Sequence, residues 1–145
     1  VLRLSNLSSN ITTDMVNNYT HKNDEDVTFS FSNATIAKDF DFSFKYLDIM
    51  LKNGAEPINI VALLANSFTN IYMVKSAASD GLSDEEIAKL FGYTNPKRVV
   101  VLKINGKIYT LDQLKDIIIS LSELDLKIKS GYNQIYAIKE FLLNL

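Results

Sequence analysis

Cysteine is absent from these 145 residues, so the chain forms no disulfide and no thiolate zinc site. Histidine occurs once, as His21, in the most polar stretch of the sequence. Any Ser-His-Asp or Cys-His constellation would have to use it, and no nucleophile-elbow motif accompanies it. We read His21 as a surface side chain. The five glycines, Gly54, Gly81, Gly92, Gly106 and Gly131, all stand alone. Neither a G-x-x-x-x-G-K-[ST] nor a G-x-G-x-x-G phosphate loop can be written on the chain, which argues against nucleotide binding. A basic excess is missing too: 15 Lys and Arg face 17 Asp and Glu, for a net charge of −2. Nucleic-acid binders draw much of their affinity from displacing counterions, so this balance favours protein partners. No uninterrupted apolar run approaches the ~18 residues of a membrane span, and no export leader is recognisable. The expectation is a soluble chain with no membrane contact, compatible with the cytoplasm.

The composition is globular, with 47% hydrophobic and 22% charged residues. Its periodicity is mostly helical. Thr12 or Thr13 is a candidate N-cap for a short helix through Val16. The polar stretch from His21 to Asp26 follows. Within it, Asp24-Glu25-Asp26 lacks the spaced ligands and turn glycine of a calcium loop, and reads as a solvated loop rather than a metal site. Val27 to Phe31 alternates as a strand would, over too few residues to fix a period. Asp41 to Asn53 reads as a helix stopped by Gly54, with Tyr46, Leu47, Met50 and Leu51 on one face. Pro57 suits the first turn of the next, whose Ile58, Val61, Leu64, Phe68, Ile71 and Val74 recur every three or four residues to about Ser79.

Ser83 and Glu86 form a capping box ahead of a short helix expected to bury Ile87, Leu90 and Phe91. Pro96 begins another helix through Val99 and Leu102. Thr110 and Gln113 form a second capping box. The long helix behind it carries Leu114, Ile117, Ile118, Leu121, Leu124 and Ile128 as far as Ser130-Gly131, and a last one holds Ile135, Ile138, Phe141, Leu142 and Leu145. Asp112 and Asp116 share a face at i, i+4, but no second acid–base pair converges on them, so they read as solvated. Val1 enters an apolar stretch with neither an initiator Met nor a cap. We expect the chain to be a piece of a longer protein.

One segment competes with the all-helical reading. Val99–Ile104 and Lys107–Leu111 are rich in β-branched residues and flank Asn105-Gly106, a two-residue hairpin signal. Leu82 to Val99 also reads as two-thirds of a helix-turn-helix, and such a hairpin would supply a wing. In that winged-helix alternative, Asn95, Lys97 and Arg98 would face the major groove of DNA. The run Val99-Val100-Val101-Leu102 is too apolar for a base-reading face, and the overall charge is wrong.

An ordered series of words spans the chain: Ala65-Asn66-Ser67-Phe68, Tyr72-Met73-Val74-Lys75, Gly81 to Lys89, Asn95-Pro96-Lys97-Arg98-Val99, Leu124 to Gly131, and Phe141 to Leu145. Ile11 to Val16 and Asn53 to Ile58 add two more. In order and spacing these resemble the delta subunit family of bacterial replicative clamp loaders. Asn66 and Ser67 depart from that family's usual basic residue. The resemblance implies an all-α fold, with residues 1–54 ending an AAA+ helical lid and residues 55–145 forming a helical collar. It implies a non-catalytic, cofactor-free assembly module of DNA polymerase III. Its partners would be gamma/tau-type and delta-prime-type subunits held through the collar, with DNA engaged only indirectly. The sliding clamp would be gripped by a domain outside this chain. It also favours helix, with Asn105-Gly106 as its stop, over the hairpin. The last two helices, with Ile117, Leu121, Tyr132, Tyr136 and Phe141, offer more apolar surface than one small core absorbs; periodicity does not separate core from interface among them, and plain core is the ordinary reading for any single one.

Overall fold

The computed structural model describes the backbone of residues 13–145 and the side chains from residue 24 onward. The readings of the apolar stretch at Val1, of Thr12 as a cap and of the His21 side chain lie outside these described residues. Among the described residues seven helices follow one another: α1 (Thr13–Ile36), α2 (Phe40–Lys52), α3 (Pro57–Ser79), α4 (Asp84–Phe91), α5 (Lys97–Asn105), α6 (Leu111–Lys129) and α7 (Gln134–Leu143). No strand occurs among the described residues.

Helix α1 corrects three local expectations. The short helix, the polar loop around Asp24-Glu25-Asp26 and the strand-like Val27–Phe31 are one helix of 24 residues. No glycine or proline interrupts the sequence before Gly54. Val27 and Phe31, four apart, reach the shared core, and this packing overrides the β propensity of a five-residue run. The three acids therefore lie on a helix, and no metal-holding cluster forms among the described residues.

Helix α1 ends in a Schellman turn. Asp39 N–H donates to Ala34 O at 2.9 Å and Lys38 N–H to Thr35 O at 3.1 Å, with Lys38 at φ 60°. Helix α2 packs back along α1 and stops before Gly54. Pro57 then opens α3, as its missing N–H predicts.

Helix α3 is the axis of the molecule, in contact with α1, α4, α5, α6 and α7. Its length and apolar composition would suffice to cross a bilayer. In this fold its Ile60, Val61, Leu64, Phe68 and Ile71 are core, together with Phe31, Leu47, Leu114, Leu121, Ile138 and Leu142. Each such burial is worth roughly 1.5–3 kcal/mol against exposure. A smaller cluster at the far end of α3 joins Val74 and Ala77 to Ile87, Ala88 and Val99. The main core runs without a break from α1 and α2 across Gly54 into α3, α6 and α7.

Both capping boxes form. Ser83 Oγ accepts from Glu86 N–H at 3.2 Å and Glu86 Oε2 accepts from Ser83 N–H at 2.9 Å. Thr110 and Gln113 repeat the arrangement at 3.1 and 2.9 Å. The expectation for α4 is corrected in one place: Leu90 is 63% exposed, while Ala88 is buried. At about 100° per residue, Ile87, Ala88 and Phe91 share one arc, and Leu90 falls well outside it.

The segment 99–111 is helical up to Asn105, so the hairpin does not form. Gly106 ends α5 at φ −84°, a conformation open to any residue. Its glycine is required by space, because a Cβ there would sit 2.8 Å from Ile71 Cγ2. The turn after it is held from α3: Lys75 Nζ donates to Gly106 O at 2.9 Å and to Tyr109 O at 2.5 Å.

Candidate interaction surface

Nothing in the described residues assembles acid–base or nucleophilic chemistry. Asp112 and Asp116 are both exposed on α6, as a solvated face predicts. Among the described residues the one group pushed clearly off its ordinary titration range is the buried Tyr109 phenol, raised to about 12 by burial. Its hydroxyl donates to Ile36 O at 2.5 Å, a structural contact. No buried side-chain polar atom among them lacks a hydrogen-bond partner. What remains unsatisfied is apolar, and it lies on the surface.

The first such region is a cleft of about 730 Å³ with α1 and α5 as walls and α3 as floor. The α1 wall presents Thr28, Phe29, Ser32 and Asn33, and the floor presents Leu63, Ser67 and Asn70, spaced as one helical face. Arg98, Val101, Leu102 and Asn105 form the α5 wall. Phe29 and Val101 are 67% and 52% exposed. The hydroxyls inside are satisfied within the protein. Ser32 Oγ lies 2.8 Å from Ser67 Oγ, Ser67 donates to Leu63 O at 2.9 Å, and Thr28 donates to Asp24 O at 2.8 Å.

The second region is the outer surface of α6 and α7. Ile119 and Leu126, seven apart, stand out from α6, with Leu126 67% exposed. Tyr132, Ile135, Tyr136 and Leu143 are exposed on and just before α7. Of the surplus expected here, Leu121 is core, Ile117 and Phe141 are half-buried against it, and only the tyrosines are exposed. A third group, Val100, Ile104 and Ile108, is exposed on and just beyond α5.

Two of the three residues of the DNA-reading alternative are engaged within the protein. Asn95 Oδ1 accepts from Lys97 N–H at 3.0 Å and so serves the start of α5. Lys97 is exposed and apart. Arg98 stacks on Tyr93, its guanidinium carbon 4.5 Å from the ring centroid, and lines the cleft. Around them α5 exposes Val100, Val101 and Ile104, and no wing follows. Sequence reasoning missed Phe29 and Val101 as surface features. The signal was present in the absence of any breaker through α1, which makes residues 24–36 one continuous wall.

Residues 25–145 match the family described as DNA polymerase III delta subunit, C-terminal domain. The chain is 31% identical over 96 residues to the DNA polymerase III subunit delta of Bacillus subtilis, an alignment that covers 66% of this chain and 26% of that protein. The solved structure of the Bacillus subtilis DNA clamp loader delta protein superposes with a TM-score of 0.74 at 27% identity. That superposition covers 83% of this chain and 36% of the other. The chain thus spans about a quarter to a third of the length of these relatives.

Proposed function

From the premise that this chain belongs to the family of C-terminal domains of DNA polymerase III delta subunits, we propose that it is an assembly module of a bacterial clamp loader. The match over residues 25–145 carries this reading. In it, residues 55–145 serve as the collar and residues 1–54 end the lid. The core that crosses Gly54 would make both parts move as one body. The module is non-catalytic and works in the cytoplasm, next to gamma/tau-type and delta-prime-type subunits. DNA is engaged only through the assembled loader, and the sliding clamp through a part outside this chain.

Physically, a collar member needs two different apolar faces, because a ring of non-identical neighbours is built from heterologous contacts. The cleft beside α5 and the outer face of α6 and α7 are two such faces, on different helices. Their exposed aromatic and aliphatic side chains resemble the cores of protein interfaces.

Size-exclusion chromatography with the purified loader subunits tests the reading, beside a duplex-DNA titration at physiological salt. Stable co-elution with no micromolar DNA binding is the expected result. Tight duplex binding without co-elution would overturn it.

A further inference from the structure

The cleft walled by α1 and α5 has the shape of a missing helix position. Its floor and both walls are helical faces, and from Asp24 to Ile36 the α1 wall rises ~18 Å, the length of about three turns. Ser32, Ser67 and Thr28 offer an occupant no free hydroxyl donor, because they already spend theirs internally. Apolar side chains would find Phe29, Leu63 and Val101.

One positive charge on the lip has no ion-pair partner among the described residues. It belongs to Arg98, whose guanidinium carbon lies over the Tyr93 ring, 4.5 Å from its centroid. The facing wall carries Asp24. A carboxylate on an occupant is therefore attracted to the α5 side and repelled from the α1 side, which selects one rotational setting. Arginine and tyrosine are also among the residues that dominate binding energy at protein interfaces.

We propose that this cleft is the socket for an amphipathic helix of a neighbouring, non-identical subunit of the same assembly. The occupant sets apolar residues spaced i, i+3 or i+4, and i+7 against Phe29, Leu63 and Val101. It places one Asp or Glu on Arg98 in a paired, charge-assisted contact. The inference rests on the assembly reading above and names the partner chemistry of one of its faces.

The chain has no cysteine, so Asn33→Cys, on the exposed part of the α1 lip, gives a single thiol for a benzophenone maleimide. Photolysis is carried out in the complex reconstituted from purified loader subunits, and the joined peptides are sequenced. A peptide from another subunit with the stated apolar spacing and an acidic residue is expected. Arg98→Glu should then weaken co-elution at least about tenfold, and reversing the identified acid to Arg in the partner should recover most of the loss. Photoproducts confined to this chain, or to a second copy of it, would overturn the proposal. So would unchanged co-elution of Arg98→Glu, which leaves the assembly reading intact. Failure of the unsubstituted chain to co-elute at all removes the reading beneath it.

Discussion

Tyr109 donates its hydroxyl to the main-chain carbonyl of Ile36, 73 residues earlier, at 2.5 Å. That carbonyl belongs to the last turn of α1, where no intrahelical donor is available. The ring stands edge-on to Phe68 with centroids 5.7 Å apart, and the Lys38 ammonium lies 5.2 Å from its centroid. One side chain thus ties the end of α1 to the turn that leads into α6.

Tyr109→Phe should lower stability by about 1–3 kcal/mol, because it leaves the Ile36 carbonyl buried without its donor. It should also change the alkaline limb. Burial raises the phenol from 10.0 to about 12, so the folded state holds a proton that the unfolded chain releases. The stabilisation is complete below pH 10 and is lost between about 10 and 12. Urea denaturation from pH 9 to 12 should therefore show a shallower fall for Tyr109→Phe than for the unsubstituted chain. Parallel curves would refute the assignment.

Lys75→Met keeps the length of the side chain and removes the donor to Gly106 O and Tyr109 O. A loss of about 1.5–3 kcal/mol is expected, since charge-assisted bonds in a partly buried site are the stronger kind. Amide exchange should accelerate most from Gly106 to Thr110. A uniform change along the chain would show that Lys75 does not hold that turn.

Gly106→Ala pushes a methyl group against Ile71, and overpacking of this kind costs about 1–3 kcal/mol. The backbone conformation is ordinary, so relief should come from making room. Gly106→Ala with Ile71→Leu, which removes the Cγ2 methyl, is expected to recover part of the loss, and thermal denaturation of the two variants decides it.

Ile87→Ala should cost about 2–4 kcal/mol, whereas Leu90→Lys should stay within ~0.5 kcal/mol of the unsubstituted chain. The contrast tests the buried arc of α4, in which Ile87 is fully enclosed and Leu90 is not.

Leu126→Lys changes an exposed side chain of α6, so its melting temperature should hold. Under the assembly reading it should nonetheless weaken co-elution with the other loader subunits. Undiminished co-elution would take the outer face of α6 out of the contact.

From α2 onward the helices were legible because their ends carry local chemistry: Pro57 at the start of α3, Ser83 and Thr110 in capping boxes, Gly92 in the left-handed conformation. Helix α1 was misread where local signals pointed elsewhere. Asp and β-branched residues are poor helix formers, and the contacts of Val27 and Phe31 with the core help hold this stretch helical. Asn105-Gly106 carries a hairpin signal, yet the close approach of Ile71 is what requires the glycine, and a contact 35 residues away leaves no local trace. The cleft was illegible for the same reason: its walls and floor come from three helices. Arg98 was singled out for a DNA contact, and a sequence does not show that it lies over Tyr93 and lines a cleft with Val101.

The hydroxyls along α1 set a position as well as satisfying hydrogen bonds. Ser32 meets Ser67 of α3 at 2.8 Å, while Thr35 and Ser43 of α2 face each other at 3.3 Å, each donating to a carbonyl one turn back. A purely greasy contact would let α1 slide by a turn, about 5.4 Å, with little to oppose it. Here such a slip would part both pairs and bring Ser32 against Leu63 or Asn70. The seam works as an index stop, and the gauge of the gap between Phe29 and Val101 is thereby held at one value.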